Sequence, residues 1–285
     1  MDALTPTRVT LPDVTLSVLD EGSGPAVLLL HGWPDRALMW EHQIRALAAA
    51  GYRVIAPDLR GFGDSDRPEG VEQYTLRRTA GDVLALADAL GVEEFALAGH
   101  DWGASLGWAV ATFSERVSRY AAFSVGHPGA FRSAGLEQKS LSWYMLWFQF
   151  PGVAESVLPA DDWALLRSWA HPGAAPDDPA AARQVADLSR PGALTASLNW
   201  YRANIDPATF VGVEPPPLPR ISRPVFGVWS SADMALTEEQ MTRSAEFVDG
   251  PFTYRRVDDV GHWIPVEAPE RTAELLTEFL AAPGR

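Results

Sequence analysis

Two glycines bracket an aspartate in Gly99-His100-Asp101-Trp102-Gly103. The segment follows an apolar run at 95–98 and precedes a helix-like stretch at 104–113. A strand that must turn sharply into a helix leaves few folds open. The spacing matches the G-x-S-x-G nucleophile elbow, with Asp101 in the serine position. The exchange changes which reactions are open. Serine attack on a saturated carbon forms an ether, which water does not readily cleave. A carboxylate forms an ester whose carbonyl belongs to the protein, and water can attack it and restore the acid. Asp101 therefore points to a substrate with an electrophilic sp3 carbon, such as an epoxide or an alkyl halide.

The surrounding pattern predicts strands alternating with helices. Residues 14–20 alternate as in a half-exposed strand, and 25–30 form a continuous apolar run, as in a strand covered on both faces. Helix 39–50, strand 53–56, a Gly/Asp-rich loop at 58–70, helix 76–90 and strand 119–125 complete the first part. From about 127 to 219 there is no convincing buried strand, only helix-like pieces rich in Trp, Phe and Leu, closing with the proline-rich connector 215–219. Strand 224–229, a helix opened by the capping-box pattern Thr237-Glu238-Glu239-Gln240, strand 252–257 and helix 267–281 follow. The expected architecture is α/β: a mostly parallel, doubly wound sheet formed by residues 1–127 and 220–285, with a helical cap, 128–219, inserted between two strands.

An elbow of this kind takes its partners in the order nucleophile, acid, histidine, from loops at the carboxyl ends of strands. Of six histidines, His262 in Val260-Gly261-His262-Trp263 alone follows the cap. His31 and His100 read as turn and packing residues, His127 lies at the core–cap junction, and His42 and His171 fall at surface or cap positions. Asp233 follows the 224–229 strand and is the candidate acid, with Asp258 and Asp259 as rivals nearer the histidine. A carboxylate on one imidazole nitrogen fixes the tautomer, so the other can take a proton from water. The loop His31-Gly32-Trp33-Pro34 follows the 25–30 strand, and the Trp33 and Trp102 amides are the candidate oxyanion donors. The Trp-Pro bond has the form in which a cis peptide occurs. Opening an epoxide also calls for a proton donor, and a phenol suits that task. The cap segment holds two tyrosines, Tyr144 and Tyr201, on separate predicted helices. Read alone, cap tyrosines are more often core or rim residues.

Composition excludes several classes. Formal net charge is -14, which argues against nucleic acid or an anionic membrane as the main partner. There is no cysteine, hence no disulfide, thiol catalysis or zinc–thiolate site. No signal peptide or membrane span is expected, and a cytoplasmic protein is the default. Oligomeric state is not readable.

The chain resembles the epoxide hydrolases of the α/β-hydrolase fold over essentially its whole length. The resemblance rests on His31-Gly32-Trp33-Pro34, the 61–66 loop, the elbow, the 148–155 segment, Asn199-Trp200-Tyr201-Arg202 and Gly261-His262-Trp263. It implies Asp101 as nucleophile, His262 as base, Asp233 as its orienting acid, and Tyr144 and Tyr201 as ring-opening donors. The Ser231-Ala232-Asp233-Met234 loop matches the family pattern loosely. Trp33, Trp102 and Phe148 are expected to contact a small apolar epoxide, with water the second reactant and no metal or organic cofactor required. Haloalkane dehalogenase is the nearest rival, since it shares the elbow, and a non-catalytic ligand-binding protein is a third reading. The tyrosine pair has no clear task in dehalogenation.

Overall fold

The computed structural model describes residues 3–171, 175, 177–211 and 218–282. Of the proline-rich connector expected at 215–219, residues 215–217 lie outside the described residues. Eight strands make one sheet: β1 (Thr7–Thr10), β2 (Thr15–Gly22), β3 (Ala26–Leu30), β4 (Arg53–Pro57), β5 (Phe95–His100), β6 (Val117–Phe123), β7 (Val225–Ser230) and β8 (Phe252–Val257). Their order is β1-β2-β4-β3-β5-β6-β7-β8. β1 and β2 pair antiparallel at one edge, and every pairing from β4 to β8 is parallel. The sheet is mostly parallel, as the strand–helix alternation predicts.

The core helices are α1 (Glu41–Ala49), α2 (Leu76–Ala89) and α3 (Trp102–Phe113). Between β6 and β7 come α4 (Pro128–Ser133), α5 (Leu136–Leu141), α6 (Trp143–Trp147), α7 (Val153–Val157), α8 (Ala160–Ala170), α9 (Pro179–Leu188) and α10 (Ala193–Asn204). After β7 lie α11 (Glu238–Thr242), α12 (Ile264–Glu267) and α13 (Pro269–Ala281). From β3 the chain passes through α1 to β4 on one side, while β5, α3 and β6 build outward on the other. Right-handed crossovers running in opposite directions put their helices on opposite faces. Central strands buried on both sides read as unbroken apolar runs, and every residue of β5 and β7 is buried.

The point where the chain changes direction lies between the neighbours β3 and β5, and ligand crevices open at such points. Leu30 is in register with Gly99, so the Trp33 loop and the elbow leave the sheet side by side. Ser230 is in register with Val257, so the Asp233 and His262 loops also emerge as neighbours.

Three details differ from the sequence reading. β1 was not anticipated: it is a short, mostly exposed edge strand, with no buried face to impose an alternation. Helix 39–50 divides into a 3-10 turn, Ala37–Trp40, followed by α1, while helix 267–281 begins at Pro269 as α13, with the one-turn α12 set before it. Thr237 precedes α11, but its hydroxyl donates to Gln138 Oε1 at 3.0 Å and makes no capping bond.

The insertion α4–α10 is fastened to the sheet layer by polar contacts. Trp200 Nε1 donates to the Arg60 carbonyl at 3.0 Å, and Asn204 Oδ1 accepts from the Leu76 amide at 2.8 Å. From α9, Arg183 and Gln184 reach the buried Asp35 carboxylate at 2.8 and 2.7 Å. Arg190 bonds Asp64 at 2.6 Å.

Candidate active site

Asp101 occupies the turn between β5 and α3 with φ 52° and ψ -120°, a conformation rarely adopted by a residue with a side chain. The flanking glycines make it possible. A Cβ on Gly99 would run into the Gly103 carbonyl, and one on Gly103 would run into that of Leu30. The helix thus starts hard against β3 and β5, and the Asp101 carboxylate is held above the sheet.

One oxygen of that carboxylate, Oδ1, accepts the Trp33 amide at 2.7 Å. The other, Oδ2, faces His262 Nε2 at 3.6 Å. The far side of the imidazole, Nδ1, meets Asp233 Oδ2 at 2.9 Å. Asp233 Oδ1 accepts the Ala235 and Leu236 amides at 2.8 and 3.0 Å, which leaves its carboxylate little freedom. The loop before His262 is pinned as well, by the Ser230 hydroxyl donating to the Gly261 carbonyl at 2.6 Å. The His262 carbonyl takes a hydrogen bond from Ser124 Oγ at 2.8 Å and meets His100 Nε2 at 2.9 Å. Asp258 and Asp259 are exposed, and the Asp258 carboxylate pairs with Arg256.

Electrostatics set the state of the imidazole. Burial alone would lower the His262 pKa, but the negative charges of Asp233 and Asp101 outweigh it and push the value up to about 10. His100 goes the other way, down to about 4, because it is wholly buried and lies beside His262, the two ring centroids 4.8 Å apart. It is therefore neutral at ordinary pH.

Two cavities meet at Asp101 and Tyr144. A narrow one is walled by Trp33, Trp169, Tyr201, Met234, His262 and Trp263. A larger one, about 130 Å³, runs past Trp102, Val125, Met145 and Ile205 towards the outer ends of α4 and α5. Tyr144 on α6 and Tyr201 on α10 stand edge to face, centroids 5.9 Å apart, and both are buried. Burial first, and then the charge of Asp101, raise both phenol pKa values well above the ordinary value, so both are protonated. Among the described residues no three His, Asp or Glu side chains converge as a metal ion requires.

The chain's similarity to known proteins agrees with this geometry. The profile of the alpha/beta hydrolase fold matches residues 25–269. Epoxide hydrolase A of Mycobacterium tuberculosis (strain ATCC 25618 / H37Rv) is 34% identical, across 98% of each chain. The chain belongs to the epoxide hydrolase family of the α/β-hydrolase fold. The epoxide hydrolase of Caballeronia sordidicola is 33% identical over 94% of this chain and 91% of its own. A solved structure of an epoxide hydrolase from a hot-environment metagenome superposes with a TM-score of 0.88 at 34% identity, covering 99% of this chain and 100% of the other.

The structure thus brings together Asp101, His262, Asp233, Trp33, Trp102, Tyr144 and Tyr201. Phe148 lies deeper than the other expected contact residues. Expected against substrate, it is wholly buried and packs behind the reactive groups, 4.9 Å from the Tyr201 ring, 5.6 Å from Tyr144 and 5.5 Å from Trp33. It is absent from the lining of both cavities. Its ring shapes the site by supporting the phenols. His127 likewise turns away from the cavities and stacks on Phe247 at 4.2 Å. His31 shapes its turn: Nε2 accepts the Leu59 amide at 2.8 Å, and the Trp33-Pro34 bond is cis.

Sequence reasoning missed Trp169, whose ring lies 4.6 Å from Tyr144, and Gln138. The buried Gln138 amide donates to the Ala235 carbonyl at 2.9 Å, and its oxygen accepts the Thr237 amide at 2.9 Å. It ties α5 to the loop that carries the acid. No local signal marks either residue, since both act through partners distant in sequence.

Proposed function

We propose that the protein hydrolyses an apolar epoxide to a vicinal diol through a covalent ester on Asp101. The observation that carries this reading is the convergence on one point of Asp101, the His262 imidazole and two buried phenols. Residues 128–219 act as a lid over a core formed by 1–127 and 220–285.

The first step is attack on a ring carbon. Asp101 Oδ1 is engaged by the Trp33 amide, so Oδ2 is the attacking atom. The carbon–oxygen bond of the ring breaks, and the alkoxide takes a proton from Tyr144 or Tyr201, while the other phenol donates a hydrogen bond. Ester formation removes the Asp101 charge. That charge raises both phenol pKa values and that of His262. Its loss strengthens the phenols as acids as the alkoxide forms and lowers the imidazole pKa. His262 then releases its proton to solvent, which also reprotonates the phenol.

In the second step neutral His262, oriented by Asp233, takes a proton from water. The resulting hydroxide attacks the Asp101 carboxyl carbon. Negative charge gathers on Oδ1, where the Trp33 amide already sits and where the Trp102 amide, first in α3 and without an intrahelical acceptor, is the second donor. Collapse breaks the Cγ–Oδ2 bond; the departing oxygen takes the proton of the His262 imidazolium to complete the diol, and the new carboxyl group gives its own proton to the imidazole, restoring the carboxylate. The α3 N-terminus favours the negative charge throughout.

The test is a single turnover of styrene oxide by excess enzyme in ¹⁸O-labelled water. The first diol should carry oxygen from the protein, with label entering only in later cycles. A first diol whose new oxygen is always solvent-derived eliminates the ester. Halide release from a bromoalkane in place of diol formation would support dehalogenation instead.

A further inference from the structure

The larger cavity ends differently from how it begins. Asp101 and Tyr144 are buried at its inner end, whereas Arg132 and Asp206 on its wall are exposed and Lys139 is half-buried. Solvent therefore lies at the Lys139 end. Lys139 rises from α5 with its ammonium over two aromatic faces, 4.8 Å from the Phe131 centroid and 5.3 Å from that of Phe210. It donates one hydrogen bond, to the Phe131 carbonyl at 3.1 Å, and an ammonium has three protons to give. Among the described residues neither Lys139 nor Arg132 has a carboxylate within ion-pair distance.

That is unlike the other cations around the insertion. Arg36, Arg60, Arg183, Arg190 and Arg202 are each matched to an aspartate or glutamate. The rim carboxylate, Asp206, has its Oδ1 engaged by the Ala208 amide at 2.9 Å. Asn204 and Thr209, also on the wall, bond backbone carbonyls. The cations are thus the free donors at this end. Burial, and then the nearby charge of Arg132, lower the Lys139 pKa, the mark of an ammonium without a counter-charge.

We propose that the outer end of the larger cavity is an anion subsite centred on Lys139, so that the preferred substrate is an epoxide whose apolar chain ends in a carboxylate. The proposal rests on the epoxide reading above. The apolar wall between, with Val125, Met145 and Ile205, takes the chain, and the aromatic faces hold the ammonium in place for the charged end. In a protein of net charge -14 such a subsite offsets the general repulsion of an anionic ligand.

The experiment compares terminal epoxides on alkyl chains ending in a carboxylate with their methyl esters, over a range of chain lengths, with styrene oxide as a third substrate. At the best length the acid should exceed its ester in kcat/KM by about tenfold, the order expected for one charge-assisted hydrogen bond. That ratio should fall to near unity in Lys139→Met, which keeps the aliphatic stem, be retained in Lys139→Arg, and shrink with added salt. Equal rates on acid and ester in the wild type, or an unchanged ratio in Lys139→Met, overturn the subsite and leave the epoxide reading standing. Failure to form diol from all three substrates overturns the epoxide reading, and the subsite with it.

Discussion

Replacing Asp101 with asparagine reproduces, without substrate, the charge state that the proposed ester would create. The side chain keeps its shape, and one negative charge disappears from beside His262. At the observed 3.6 Å and an effective dielectric of about 20, two full charges would interact by about 4.6 kcal/mol. Only one Asp101 oxygen is near, and the imidazolium charge is shared over two nitrogens, so about half of that is the working figure. At about 1.36 kcal/mol per unit, this is a fall of roughly 1.7 pKa units. The His262 value, about 10 in the intact protein, should drop to roughly 8 in Asp101→Asn. NMR titration of ¹⁵N-histidine-labelled protein, following the His262 ring nitrogens from neutral to alkaline pH, measures it directly. Asp233→Asn serves as the reference, because it removes the other carboxylate. A fall below about half a unit in Asp101→Asn would refute the reasoning. Asp233 alone would then set the imidazole, and loss of the nucleophile's charge could not ready the base for the second step.

Other outcomes follow from the same geometry. His262→Gln should accumulate one equivalent of substrate as an ester, visible as a mass increase of the intact protein equal to the substrate; sustained turnover counts against His262 as the base. Tyr144→Phe and Tyr201→Phe should each slow ester formation by about 100-fold in rapid-mixing tryptophan fluorescence, the scale of general acid catalysis, and an unchanged rate in either removes that phenol from the mechanism. The folded His262 pKa of about 10 lies above its unfolded value near 6.5, so the folded state binds the extra proton between them. Its contribution to stability is complete below about pH 6.5 and lost as pH rises through about 10. Urea midpoints should therefore decline across that window more steeply in the wild type than in His262→Gln, and parallel curves would contradict this. Gly103→Ala should cost about 3 kcal/mol or more, since its Cβ meets the Leu30 carbonyl, and urea unfolding measures the loss.

What could be read from the chain was what short-range physics dictates. The elbow is legible because its glycines are spaced for a strand that turns at once into a helix: Gly99 makes room for the Gly103 carbonyl four residues on, and Gly103 for the Leu30 carbonyl of the neighbouring strand. The buried strands are legible because they sit between two layers and tolerate no polar interruption. His262 and Asp233 follow from loop order along a parallel sheet, and the parallel register of β7 with β8 brings their loops together. What escaped depends on remote partners. β1 is an exposed edge with no patterned face. Thr237 has the sequence of a cap, but Gln138, 99 residues away, takes its hydroxyl. The direction of the Phe148 ring is decided by its packing against Tyr144, Tyr201 and Trp33, which lie on three separate elements. Lys139 stands on a short helix whose placement no local periodicity encodes.

His100, the last residue of β5, meets the backbone of His262 through its ring, and Ser124, just beyond β6, grips the same carbonyl. Asp101 is the very next residue after His100. The Asp101 carboxylate and the His262 imidazole, 161 positions apart, therefore stand on a common footing at the ends of the neighbouring strands β5 and β6. The two phenols come instead from α6 and α10, in the insertion, so the carboxylate–imidazole pair and the phenol pair are positioned by separate layers of the fold.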